Sequence, residues 1–233
     1  MEFQALRGLA LLAFKYDVQH IQTEVIRRLR VCFPTTSDDW GHRYPHSLSR
    51  AKSDYPSIGA QDTLKFEPID SIAVINLARR FGIRDILPIA FFICANLPSV
   101  DILTQVRYGD DELQDVEELS REDVTRCLRG RDYCVRMVLR LKTTHAATRP
   151  FDSDQCATKN ARTCFKIIES QAQAHQRKIP TLSPDVFNPA VSWAVPKEPT
   201  LDSLCSSCLQ DVEHKDRIFR SVVFDAWPSI FYL

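Results

Sequence analysis

The chain has 233 residues, 44% of them hydrophobic and 26% charged, and its 30 basic and 30 acidic residues cancel. Zero net charge argues against a dedicated nucleic-acid surface, which needs a basic excess on one face. No stretch approaches the ~20 apolar residues that a membrane-crossing helix requires. The 8 cysteines are too sparse in a chain of this length for a disulfide scaffold, and 6 glycines against 13 prolines point to helices between rigid turns rather than to hairpins.

Leu6, Leu9, Ala10, Ala13 and Tyr16 recur at three- and four-residue spacing and predict a first helix with these on one face. Asp17 is placed to cap a second helix, whose stripe is Val18, Ile21, Val25 and Leu29 and which ends before Pro34. "GLALLAF" is at the lower length limit for a signal-peptide core and runs into charged "KYD", where a cleavage site should be. No Asn-x-Ser/Thr acceptor occurs, so the expectation is an intracellular chain, in nucleus or cytoplasm. From Pro34 to Glu67 the periodicity dissolves into a linker or insertion with Trp40, Tyr44 and Tyr55 in it.

Helix returns with Ile72, Ile75 and Ala78, stopped by Gly82, which tolerates the left-handed conformation. A further helix comes next, with Asp85 as its cap, Pro88 in its first turn, and Leu87, Ala90, Phe91, Cys94 and Leu97 on a broad apolar face. "SVDILTQV" offers a short helix. "GDDELQDVEE" reads as a solvated acidic turn, because it lacks the alternating ligands and central Gly of a calcium loop. Ser120 and Asp123 resemble a capping box before a helix with Val124, Cys127 and Leu128 on one face. Gly130 is expected to kink or divide it, and Val135, Val138 and Leu139 resume the face up to Leu141. A Thr/Ala loop comes next. Ala161, Cys164, Phe165 and Ile168 then mark another helix, and a last helix from about Leu204 leads into an aromatic tail, Trp227, Phe231 and Tyr232. No segment sustains period-2 alternation, so the expected class is all-α. The chain divides into 1–33, 34–67, 68–141 and a coil-rich C-terminal helical module at 142–233.

The sharpest chemical signal is Cys156-x7-Cys164 followed by Cys205-x2-Cys208. Zn²⁺ takes four soft ligands in a tetrahedron, and two ligand pairs are the usual way to supply them. Such a site would be structural, since four thiolates leave no open position for water. Isolated thiols and a disulfide are the alternatives that the spacing leaves open, and His145, His175 or His214 could replace one ligand. A redox Cys-x-x-Cys would follow a strand in a βαβ setting, and none is visible. Cys32, Cys94, Cys127 and Cys134 fall on helical patterns and read as buried small hydrophobes. Catalytic templates are missing: there is no Gly-x-Ser-x-Gly, Gly-rich phosphate loop or His-Glu-x-x-His. Asp110-Asp111 and Glu117-Glu118 are expected in solvent, and Arg129-Gly130-Arg131 reads as a solvated helix junction, with anion binding as the alternative.

"LLAFKYDVQHIQTEVIRRL", through Leu12, Ala13, Lys15, Tyr16, Asp17, Val18 and Leu29, resembles the last helical pair of the BTB (POZ) fold. "RVCFPTTSDDW", "DSIAVINLARRFGIRDILPIAFFICANLP", "LSREDVTRCLRGRD" and the paired cysteines before "WPSIFYL" are similar, in that order, to the C-terminal part of BTB proteins of the basidiomycete type. The strand-rich first part of a BTB domain has no counterpart here, so the opening helices read as an ending. The resemblance implies BTB closing helices plus a BACK-like helical region, and a non-enzymatic adaptor that binds protein partners. A cullin-type ubiquitin ligase or transcriptional control is implied by that analogy alone. Tyr16, Val18, Ile21, Val25 and Leu29 need burial and are expected to pack on the helices of 68–141.

Overall fold

Helix α1, Phe3–Lys15, buries Phe3, Leu6, Ala10 and Ala13 along one side, together with Arg7. In this computed structural model the described residues are 1–36, 39, 64–108, 115–147, 156, 164, 166–167 and 204–231, excepting the side chains at 115, 138–147, 212–213, 216–217 and 219–220. Asp17 stops α1 rather than capping the second helix. Its φ of 55° is left-handed, and the next N–H, of Val18, reaches back to the Ala13 carbonyl at 2.8 Å, the six-to-one bond of a Schellman ending. Aspartate tolerates this conformation because its short side chain bonds locally: the carboxylate accepts the side-chain amides of Gln19 at 2.5 Å and Gln22 at 3.1 Å. Helix α2, Gln19–Cys32, therefore begins with Val18 at its N-cap and no side-chain cap.

Val25, Leu29 and Cys32 bury the inner side of α2, Val18 and Ile21 are half-buried, and Tyr16 is 66% exposed. Tyr16 and the 40% exposed Leu9 thus lie off the core face to which their spacing assigned them. The cause is angular. Buried positions 3, 6, 10 and 13 define the stripe, and 9, 12 and 16 fall on its flank. Phe14 stacks on Phe81 at 3.9 Å between ring centroids. Phe33 and Phe3 both meet Phe66 edge-on, at 5.0 and 5.7 Å. A short parallel bridge joins Glu2 to Lys65, so Leu64 and Phe66 are part of the core.

A 3-10 turn at Pro68–Asp70 leads into α3, Ser71–Phe81, and Gly82 at φ 70° ends it as its composition implies. A second turn, Arg84–Ile86, precedes α4, Leu87–Ala95. Asp85 lies inside that turn and caps nothing. It accepts the Arg30 Nε at 2.7 Å instead. Pro88 falls in the first turn of α4, where no intrahelical N–H is lost. All of α4 except Pro88 is buried, the pattern of a helix that is apolar all round. Helix α5, Ser99–Leu103, leads to two strands, β1 at Val106–Tyr108 and β2 at Asp115–Glu117, antiparallel with Arg107 opposite Val116. Period-2 reading misses them because three residues are too few to show alternation. They leave the class unchanged: the described chain is all-α.

Helix α6, Arg121–Ala147, is continuous, which overturns both the break at Gly130 and the loop after Leu141. Ser120 Oγ accepts the Asp123 N–H at 3.1 Å, as a cap should. Helix α7, Ser206–Ile230, takes in Trp227 of the aromatic tail and carries Pro228 near its end. Trp227 stacks on Phe92 at 4.5 Å, and Phe231 on Phe91 at 5.6 Å. Contacts divide the chain into two units. One comprises Met1–Arg43, Asp54–Arg131 and Ala226–Leu233, and the other Tyr44–Ser53 and Asp132–Asp225. No helix among the described residues is long and apolar enough to cross a membrane.

Candidate metal centre

Cys205 immediately precedes α7, and its carbonyl accepts the Leu209 N–H at 2.9 Å. It is therefore the N-cap residue, and Cys208 is N3. These two positions face one another in a capping box, so a Cys-x2-Cys at a helix start aims both sulfurs to one side of the first turn. The free N–H groups and dipole of that turn favour negative charge there. Cys164 sits in a helical segment that includes Ile167, and Cys156 lies outside any helix or strand.

These four sulfurs converge within 4.8 Å of one another. Cys156 Sγ is the hub: Cys208 Sγ lies 3.6 Å away, Cys205 Sγ 3.7 Å and Cys164 Sγ 3.8 Å. Four sulfurs about 2.3 Å from a central ion would be about 3.8 Å apart along each tetrahedral edge. The donor set and its spacing thus fit a tetrahedral soft cation, and none of the eight cysteines is in a disulfide. Cys164 and Cys208 are buried with Ile167 and Leu204, and the half-buried Cys156, Cys205 and Leu209 pack on that cluster. Burial first, and then hydrogen bonds with Cys205, Cys156 and Cys164, push the Cys208 thiol well above the ordinary thiol range. Thiols this close resist ionisation together, because each thiolate repels the next. A divalent cation reverses that sign and displaces the protons.

Of the histidines offered by the sequence as replacement ligands, His214 is exposed on α7. The side chain of His145 and all of His175 lie outside the described residues. Among the described residues, the four cysteines are the one His/Cys/Asp/Glu group with metal-holding proximity. Cys32, Cys94, Cys127 and Cys134 are buried on their helices, as expected. A hydrogen bond with Cys94, and then burial, raise the Cys127 thiol far above its usual range, so Cys127 is a poor nucleophile.

Other sequence candidates take structural roles. Asp110 and Asp111 lie outside the described residues. Glu117 is not in solvent: its carboxylate accepts Arg7 Nε at 2.9 Å, Arg7 Nη2 at 2.5 Å and Asn76 Nδ2 at 2.5 Å. Arg129 is exposed, as a solvated junction implies, whereas Arg131 is half-buried and its guanidinium is engaged within the chain. It donates to the carbonyls of Ala95, at 2.7 Å, and Leu97, and to Ser99 Oγ at 2.6 Å, closing the C-terminus of α4. Trp227 and Phe231 are fully buried anchors, and Tyr232 lies outside the described residues.

One polar group went unseen in the sequence. Buried Asp70 accepts the Glu67 N–H at 2.8 Å and the Tyr108 hydroxyl at 3.0 Å, and the Arg7 guanidinium covers the Tyr108 ring at 5.3 Å. Desolvation, the largest influence, raises the Asp70 carboxyl above its ordinary 3.8. Arg7 and Glu117 are 110 residues apart, so no local pattern announces them. Comparison with protein-family models, with curated proteins and with solved structures yields no match for the chain.

Proposed function

We propose that Cys156, Cys164, Cys205 and Cys208 hold one structural Zn²⁺ in a non-enzymatic protein-interaction module. The observation that carries this reading is the mutual approach of the four sulfurs within 4.8 Å. In that role the ion staples the first turn of α7 to residues 156 and 164, and four thiolates exclude a reactive water. The test is elemental analysis of protein purified without a metal-binding tag. One zinc per chain, and a lower melting temperature after chelation, are expected. Iron in place of zinc would reassign the ion, and a metal content below a tenth of the protein would end the reading.

A second reading comes from the resemblance to BTB proteins: an adaptor acting in ubiquitin-ligase assembly or transcriptional control, in nucleus or cytoplasm. Supporting it, Leu9 and Leu12 on α1 and Tyr16 at its C-cap are exposed at i, i+3 and i+7, an apolar flank of the kind that a partner covers. Purified cullin titrated into the purified chain tests it. Micromolar binding that Leu12→Asp weakens tenfold or more is expected, and no binding at 100-fold higher protein would reject it.

A further inference from the structure

The four sulfurs are unequally sheltered. Cys164 is 2% exposed and Cys208 1%, whereas Cys156 and Cys205 are half-buried, and their sulfurs lie 3.7 Å apart. The Cys156–Cys205 edge is therefore the less sheltered one, and Cys164 and Cys208 are buried with Ile167 and Leu204. We propose that this less sheltered edge makes the centre an oxidation-sensitive switch: a hydroperoxide joins Cys156 to Cys205 and releases the metal. The proposal rests on the zinc reading above.

The chemistry balances in two steps. The thiolate of Cys156 or Cys205 attacks a peroxide oxygen, the O–O bond breaks, and the products are a sulfenic acid and hydroxide. The other thiolate of the edge then attacks that sulfur, forming the S–S bond and expelling a second hydroxide. In sum, two thiolates, one hydrogen peroxide and two protons give one disulfide and two waters. The sulfurs are oxidised, and the peroxide is reduced. The 3.7 Å separation is close enough for the second step to need only side-chain rotation. Two of four ligands are then lost, and Cys164 and Cys208 alone cannot fill a tetrahedron. Small oxidants reach the outer pair first because the inner pair has almost no exposed surface.

The experiment treats the zinc-loaded full chain with equimolar hydrogen peroxide. Zinc release is followed with a chromogenic chelator, and disulfides are mapped by mass spectrometry after alkylation. The expected result is release of zinc in step with a Cys156–Cys205 disulfide, both reversed by a dithiol and added zinc. Retention of zinc at that dose would overturn the switch, as would a first disulfide joining Cys164 to Cys208 or Cys205 to Cys208. Absence of zinc from the untreated and zinc-incubated protein would instead overturn the metal reading, and the switch with it.

Discussion

Phe231 occupies the space that a side chain on residue 130 would need: a Cβ built on Gly130 falls inside the contact distance of the phenyl ring. That explains a glycine in the middle of the continuous helix α6, where glycine otherwise costs roughly 0.5–1 kcal/mol against alanine. Gly130→Ala is expected to destabilise by about 1–3 kcal/mol through overpacking, and Phe231→Ala by about 3–5 kcal/mol. With the ring gone, alanine at 130 should help rather than harm. Urea melts of the two single variants and the double variant check this. A stabilising Gly130→Ala in the parent chain would contradict the packing.

Arg131 adds side-chain donors for the Ala95 and Leu97 carbonyls at the end of α4, where the Asn96 amide serves the Phe92 carbonyl. Arg131→Ala should cost on the order of 1–3 kcal/mol, since buried acceptors lose their donors. Arg131→Lys should recover only part, because one ammonium cannot span three acceptors as the guanidinium fork does. Denaturant midpoints give the ranking. An alanine variant as stable as the parent would mean that this cap contributes nothing.

For the metal centre, Cys208→Ser should abolish stoichiometric zinc, whereas Cys94→Ala, in the other unit, should leave it intact. With free zinc about a thousand times Kd, the ion adds ~4 kcal/mol. The melting temperature of the parent should therefore rise with zinc concentration, and that of Cys208→Ser should not. Calorimetry at two zinc concentrations decides the matter.

Asp70 and Glu24 should respond to acid in opposite directions. The Asp70 carboxyl is raised above 3.8 by desolvation, so between 3.8 and its folded value the native state binds more protons than the unfolded one. Stability from this group is full below 3.8 and is lost as pH rises through that window. Asp70→Asn keeps an acceptor for the Glu67 N–H and offers its amide to the Tyr108 oxygen, while removing the buried charge. It should flatten the pH profile and raise stability at neutral pH. Glu24, held down to about 2 by hydrogen bonds from Arg27 and then Arg28, is the contrasting case. Its contribution is full above 4.5, is lost as pH falls toward 2, and, the group being exposed, should fade with salt. Stability curves from pH 2 to 8 for Asp70→Asn and Glu24→Gln, each at low and high salt, separate the two.

The features legible in the sequence are those that neighbours within a few residues decide. Gly82 ends α3, Ser120 caps α6 and Pro88 sits in a first turn because each acts on its own backbone. The cysteine pairs are visible for the same reason, as short spacings along the sequence. That Cys156 stands 3.6 Å from Cys208, 52 residues on, is not. Asp17 and Asp85 show the limit from the other side. Both are good capping residues by type, yet a left-handed helix ending claims one and Arg30 the other. The Thr-rich run after Leu141 reads as loop by propensity and is helix in the fold, since propensity is a weak prior against continuation of an established helix. Arg7 with Glu117, and Asp70 with Tyr108, are invisible because a polar side chain in a helical stripe does not reveal its partner.

Helix α7 has two ends that answer to different chemistry. Its first turn carries Cys205 and Cys208, and its last carries Trp227 and Phe231 in aromatic stacks. On the zinc reading proposed above, a chelator addresses the first end and leaves the second untouched. Unravelling of this helix should therefore have a direction: amide exchange after metal removal begins at Ser206 and dies out before Trp227, so a single element records, along its own length, which of its moorings has been let go.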